Sequence, residues 1–227
     1  MKLKIVIIFL CFLAFFNTRM VPCFGAESKN EKTDPSLDEV IAGVEKRYTV
    51  PDFSARFFQT STLKAMEITD TASGRLLIKR PGMMRWDYEK PDRQIVISDG
   101  YQLWIYRPDD NQVLMGKAPS FFGDGKGASF LSDIGKMRKN FSITLEKSAT
   151  KDYYLLKLLP IEKQFDLASI YLLISKKLFD VVRIVTHNSF GDETRIDLSN
   201  LQFDQDLDKA LFSFITPEGA EILQIDE

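Results

Sequence analysis

Few groups in this sequence are able to do covalent chemistry. His187 is the sole histidine among 227 residues, so acid–base catalysis through an imidazole has one candidate. It stands in "RIVTHNSF" at the end of an alternating run, and no G-x-S-x-G nucleophile elbow occurs anywhere. A polar histidine at a turn edge is the expectation. "GDGKG" at 123–127 has glycines and a lysine but lacks the G-x-x-x-x-G-K-[ST] spacing of a phosphate loop, so it reads as a flexible connection. "DQDLD" at 204–208 spaces carboxylates as a calcium loop does, yet it lacks the central glycine and the glutamate of the twelfth position. It reads as a solvated turn. Zinc and haem spacings are missing as well. The expectation is a protein that is not an enzyme and uses no metal or cofactor.

One charged residue stands out. In "RLLIKRPGMMRWDY", residues 75–88, Leu76, Ile78, Met84, Trp86 and Tyr88 share one face of an extended chain at period two. Arg75, Lys79, Arg85 and Asp87 take the other face, but Arg80 falls in phase with the apolar set. Either Pro81–Gly82 makes a bulge that turns it to solvent, or it faces inward and needs acceptors, because an unpaired buried charge is very costly.

The elements that position these residues begin after a leader. "MKLK" and the apolar run "IVIIFLCFLAFF" lead through "NTRMVPCFGA" into polar sequence, the layout of a secretory signal peptide over 1–26 cleaved near Gly25 or Ala26. The run is short for a bilayer span, which needs roughly 20 residues. Both cysteines, Cys11 and Cys23, lie in this leader, and Pro22 spoils a lipobox before Cys23. The mature chain is expected to be soluble, free of cysteine and periplasmic. Losing Lys2, Lys4 and Arg19 takes the net charge from −2 to −5, which argues against a nucleic-acid surface.

Residues 27–35 read as a flexible tail. Ser36 and Glu39 have capping-box spacing, and Leu37, Val40, Ile41, Val44 and Tyr48 recur at helical intervals, predicting one amphipathic helix. From Asp52 the period becomes two, with Phe53, Ala55 and Phe57 in phase. Strands are expected around 65–80, 83–89, 93–98, 101–107 and 111–116, with a tight hairpin turn at "SDG" 98–100 in which Gly100 takes positive φ. Over 118–140 alternation fails. Glycines there precede a helical spacing at Phe130, Leu131, Ile134 and Met137. Alternation resumes from "FSITLEKS" through "ETRIDLSNLQF" to "LFSFITP". The outcome is a single domain, 36–227, holding a meander of about ten to eleven antiparallel strands with the 118–140 segment inserted.

Apolar residues exceed what a one-sided sheet needs. Thirteen phenylalanines, five methionines and both tryptophans follow the leader, and "QIVIS", "YQLWIY", "YYLLKLLP" and "IYLLIS" are apolar on both faces. Packing against the N-terminal helix explains part of this. A sheet curled around an apolar cavity, covered by 118–140, explains the rest, and Met and Phe suit flexible guests.

Residues 74–113 closely resemble the core signature of the LolA family of periplasmic lipoprotein carriers. The matching features are Gly74 and Leu76, "KRP" at 79–81, Trp86 with Tyr88, Pro91, "SDG" at 98–100, "LWIY" at 103–106, Pro108 and "QV" at 112–113. Phe212 to Gly219 is similar to the family's closing segment. The resemblance implies a mainly β fold: an unclosed antiparallel β-barrel around an apolar cavity, with an N-terminal helix and a helical lid. It further implies lipoprotein acyl chains as cargo, an inner-membrane lipoprotein-releasing ABC transporter as donor, and a LolB receptor, where present, as acceptor. A monomer is expected. The resemblance gives Arg80 the role of a latch between barrel and lid. Leu76, Ile78, Met84, Trp86, Val96 and Trp104, with Phe130, Leu131 and Ile134 from the lid, are the expected cavity lining. The other readings are a regulatory sensor domain of the same fold, binding a lipid or a membrane anti-sigma protein, and a carrier of another lipid class.

Overall fold

The computed structural model describes residues 35–118, 131, 134–162 and 166–225. The leader, nearly all of the 27–35 tail, "GDGKG" and Phe130 lie outside the described residues. The chain divides between Asp34 and Pro35, and every helix and strand named below belongs to the unit from Pro35 onward.

Helix α1 (Leu37–Arg47) starts where its sequence says it must. The Ser36 hydroxyl accepts the Glu39 amide at 3.3 Å while the Glu39 carboxylate accepts the Ser36 amide at 2.7 Å, the reciprocal cap that satisfies otherwise orphaned donors. Its apolar stripe, Val40, Ile41, Val44 and then Tyr48, is fully buried against the sheet.

Alternation then produces β1 (Asp52–Leu63), β2 (Ile68–Lys79), β3 (Met83–Lys90), β4 (Gln94–Asp99), β5 (Gln102–Arg107) and β6 (Gln112–Lys117), each antiparallel to the next. Ile134–Lys136, a 3-10 turn, and the short helix α2 (Met137–Asn140) lead into a second meander: β7 (Phe141–Glu146), β8 (Tyr153–Pro160), β9 (Ser169–Ser175), β10 (Val181–His187) and β11 (Glu193–Phe203). The meanders join through an antiparallel β1–β11 ladder. β12 (Glu221–Gln224) adds to β6 in parallel. The result is one 12-stranded sheet whose edge strands, β12 and β7, do not pair with each other: an unclosed barrel.

Three expectations need correction. Residues 64–67 are not strand but the β1–β2 connection, a 3-10 turn (Lys64–Met66) ending at Glu67 with φ 54°. "LFSFITP" is not a strand either. Lys209–Phe212 is a 3-10 turn packed over β3 and β4, and the last strand comes later as β12. The described residues form 12 strands, where about ten to eleven were expected.

The second correction explains the two-faced strands. The inner face of the sheet carries the main core: Phe53, Ala55, Phe57, Leu76, Ile78, Met84, Trp86, Val96, Leu103 and Ile105. Leu77, Ile97 and Val113 alternate with these and are also buried, on the outer face. The C-terminal strap, residues 204–217, covers that face. Phe212 is 1 % exposed, and Phe214 packs on Trp104 and Tyr106 at 6.2 and 5.6 Å between ring centroids. The strap is tied down by Asp52, whose carboxylate accepts the Gln205 and Leu207 amides at 2.8 and 2.9 Å and Lys79 Nζ at 3.4 Å. "DQDLD" is therefore the strap's anchor, not merely a solvated turn.

Gly74 marks a β-bulge between β2 and β3. A Cβ there would lie 1.9 Å from the Asp87 carbonyl oxygen and 2.9 Å from the Phe57 ring, and the oxygen, being backbone, is slow to yield. Gly74→Ala should lower stability by about 2 kcal/mol or more through overpacking, read as a lower urea midpoint with unchanged m-value.

Candidate functional site

The β1–β5 register brings the predicted lining together. Leu76 pairs with Trp86, Ile78 with Met84, and Trp86 with Val96 across three adjacent strands. With side chains alternating across the pleat, all five point to the same inner face. They share one cluster with Leu131 and Ile134 of the 118–140 segment. None of the seven is more than 7 % exposed, in a cluster that also holds Val40, Ile41 and Val44 of α1.

Trp104 does not belong to this set. Its neighbours Leu103 and Ile105 take the inner positions of β5, so the pleat sends the indole outward to Phe214. The expected lining omits further inner-face groups, although the period already put Tyr88 on that face. Phe57 packs edge-on against Trp86 and Tyr88, each at 4.9 Å. Tyr88 donates its hydroxyl to Gln59 Oε1 at 3.1 Å, and burial pushes its phenol up to about 12. Phe53 and Phe57 had the right signal, since their period-two spacing in β1 matches that of the predicted lining.

Arg80 follows the last residue of β2. Its amide donates to the Pro51 carbonyl at 2.8 Å, which carries the ladder one step past the strand. Its guanidinium is turned to the lid segment, with Nη2 donating to the Leu131 carbonyl at 3.0 Å. The solvent-facing alternative is not what the structure holds. A charged donor on a carbonyl makes a bond roughly twice as strong as a neutral pair. Tyr48 lies close enough to feel the Arg80 charge; burial nevertheless pushes its phenol well up, and its oxygen accepts the Val181 amide at 3.1 Å.

A second tie holds the far end of the lid segment. Arg138 of α2 reaches α1, with Nη1 2.7 Å from Asp38 Oδ1 and Nε 3.2 Å from Glu45 Oε1. Met137, buried, packs in the same core as Leu131 and Ile134. Polar bonds at Leu131 and Arg138 and the buried side chains of Leu131, Ile134 and Met137 thus tie the described part of 131–140 to the rest of the fold.

His187 closes β10 on the outer face, one position after inward-facing Thr186. Its Nε2 is 3.2 Å from Glu193 Oε2 and its Nδ1 3.5 Å from Ser169 Oγ. The three residues are lateral neighbours on adjacent strands. They form a row along the sheet surface rather than converging on a cleft. Among the described residues no group of His, Cys, Asp and Glu is arranged to hold a metal ion, and no helix is long and apolar enough to cross a membrane.

Comparison with known proteins points one way. The family model described as outer membrane lipoprotein carrier protein LolA matches residues 48–215. An outer-membrane lipoprotein carrier protein from Nitrosospira multiformis is 30% identical over 170 residues, 74% of this chain and 80% of the relative. One from Neisseria meningitidis serogroup B is 29% identical over 164 residues, 72% and 77% of the two chains. An uncharacterized conserved protein of Thermus thermophilus has a similar fold, with a TM-score of 0.54 at 14% identity over 84% of this chain and all of its own.

Proposed function

As the chain belongs to the LolA family of outer membrane lipoprotein carrier proteins, we propose that it ferries lipoproteins across the periplasm. It takes their acyl chains as an inner-membrane ABC transporter releases them and passes them to the outer membrane, through a LolB-type receptor or directly. The physical need is plain. Each buried methylene contributes about 0.8 kcal/mol to membrane anchoring, so a sixteen-carbon chain is held by roughly 12 kcal/mol and does not cross water uncovered.

The observation that carries this reading is the inner face of β1–β5, predominantly apolar and buried in one cluster with Leu131 and Ile134. In this closed form the lid residues occupy the place that acyl chains take on loading. Arg80, bonded to the Leu131 carbonyl, is the latch of the closed form, and cargo entry breaks that bond. Apolar contact is non-directional, so the face accepts acyl chains of any lipoprotein and leaves selection to the transporter.

The test is release from spheroplasts. Added protein should bring newly made lipoproteins into the supernatant in a complex with it, while buffer alone leaves them on the membrane. Retention of lipoproteins despite added protein would overturn the reading. Mass spectrometry of the purified protein should find acylated protein rather than free lipid.

A further inference from the structure

At the end of the barrel remote from Arg80, two hairpin tips stand side by side. The β1–β2 hairpin outruns its neighbour, because residues 68–72 of β2 pair with β1 but not with β3. At about 3.3 Å per residue, roughly 15 Å of hairpin projects past β3. The β10–β11 turn leans on it: the Lys64 amide donates to Asp192 Oδ1 at 2.9 Å, and the Lys64 side chain crosses over Gly191. Asn188 fixes that turn, its Oδ1 accepting the Phe190 and Asp192 amides at 3.0 and 2.9 Å. The tips are therefore held shapes, not loose ends.

These shapes present apolar side chains to water. Met66 is 69% exposed and Phe190 75%, with Leu63 and Ile68 at 42% and 44% beside them. Nothing in the sheet needs them there, since the core and the strap-covered layer are complete without them. Isolated exposed apolar residues call for no explanation, but four on two adjoining tips do.

We propose that the paired tips dip into the surface of a phospholipid bilayer. A hairpin that projects past its neighbouring strand suits a fluid interface better than a shaped protein groove. The exposed area of the four residues is on the order of 500 Å², short of the ~800 Å² that one partner gives to a standard protein interface. A second copy of this chain is thus a poor occupant, whereas interfacial insertion gains from each apolar side chain separately. Nor does the charge around the tips point to an ionic partner, because Lys64 stands among Glu67, Asp70, Asp192 and Glu193. Binding should accordingly show no preference for anionic lipid and little dependence on salt. The role given to this contact, bringing a loaded carrier to the membrane that receives its cargo, rests on the carrier reading above; the contact itself does not.

The test is flotation with phosphatidylcholine vesicles, repeated with phosphatidylethanolamine–phosphatidylglycerol vesicles. Wild type should float with both. M66E/F190E should lower the bound fraction about tenfold or more, and M66S/F190S should lower it in the same direction without adding charge. Tyr101, 81% exposed in the β4–β5 turn at the opposite end, supplies the control: Tyr101→Glu should float like wild type. Equal flotation of M66E/F190E and wild type, or an equal loss in Tyr101→Glu, overturns the proposal. So does a wild-type dimer that M66E/F190E converts to monomer without a change in flotation, which makes the tips a contact between copies. Spheroplast release, measured on the same preparations, separates the two readings. Release without flotation removes the membrane contact alone, and flotation without release removes the carrier reading alone.

Discussion

Arg80→Leu should accept lipoprotein from spheroplasts as well as wild type does, yet pass it to outer-membrane vesicles about tenfold more slowly or less completely. The reason is the bond from Arg80 to the Leu131 carbonyl. It exists only while the lid is shut, so it favours the closed, empty form over the loaded one. A hydrogen bond from a charged donor contributes about 1.5–3 kcal/mol, and about 1.4 kcal/mol is a factor of ten in a ratio of populations. Leucine removes the bond and adds apolar lining, and both changes favour the loaded form. Arg80→Lys keeps a donor without the forked geometry and should fall between. The measurement has two steps, release and then transfer. Normal transfer by Arg80→Leu would mean that the bond does not govern unloading. Failed acceptance by a folded variant would place Arg80 in contact with transporter or cargo instead.

The second large effect concerns stability. Asp52→Ala should cost about 3–5 kcal/mol, because it takes the acceptor from two amides and the nearer carboxylate from the largely buried Lys79, leaving only the more distant Asp206. Asp52 is fully buried and holds Lys79 together with the Gln205 and Leu207 amides. Burial by itself raises the carboxyl's pKa, but the two amides and the lysine outweigh it and the net shift is downward. The folded pKa therefore lies below the unfolded one. The group's contribution is complete above the ordinary carboxylate range and disappears as pH falls through the folded value. Urea titrations should show a large gap between wild type and Asp52→Ala at neutral pH that narrows in acid. A gap independent of pH would mean that packing, not charge, holds the strap.

What period and capping reveal is local, and the local features were legible. The Ser36–Glu39 box, the α1 stripe, the two-residue alternation of β1 to β5 and the turn at Gly100, with φ 98°, all follow from neighbours in sequence. Arg80 was legible for a different reason: a charge in phase with apolar residues breaks the pattern and demands an acceptor. Trp104 misled because both faces of β5 are apolar. Periodicity cannot choose a face when a segment about a hundred residues later covers the other one. Asp52 gave no warning at all, since an aspartate opening a strand looks like any turn residue until the strap closes over it. The same distance effect hid β12, whose parallel partner is β6.

The β1–β11 ladder has a consequence for how the chain reaches this fold. Every other antiparallel pairing joins strands that follow one another, so the two meanders zip locally and fast. β1 waits for β11, the last long strand to be made, and until then it is a bare edge carrying Phe53 and Phe57 on its inner side. Loop closure over most of the chain precedes any gain from that ladder, which is the kind of contact that slows folding and leaves half-sheets open to association. Asp52 sits at the start of this late ladder, and its main-chain carbonyl accepts the Asp204 amide just beyond β11 at 3.0 Å. The final zipping of the barrel and the docking of its outer strap thus converge on one residue, and folding ends where the two halves of the chain meet.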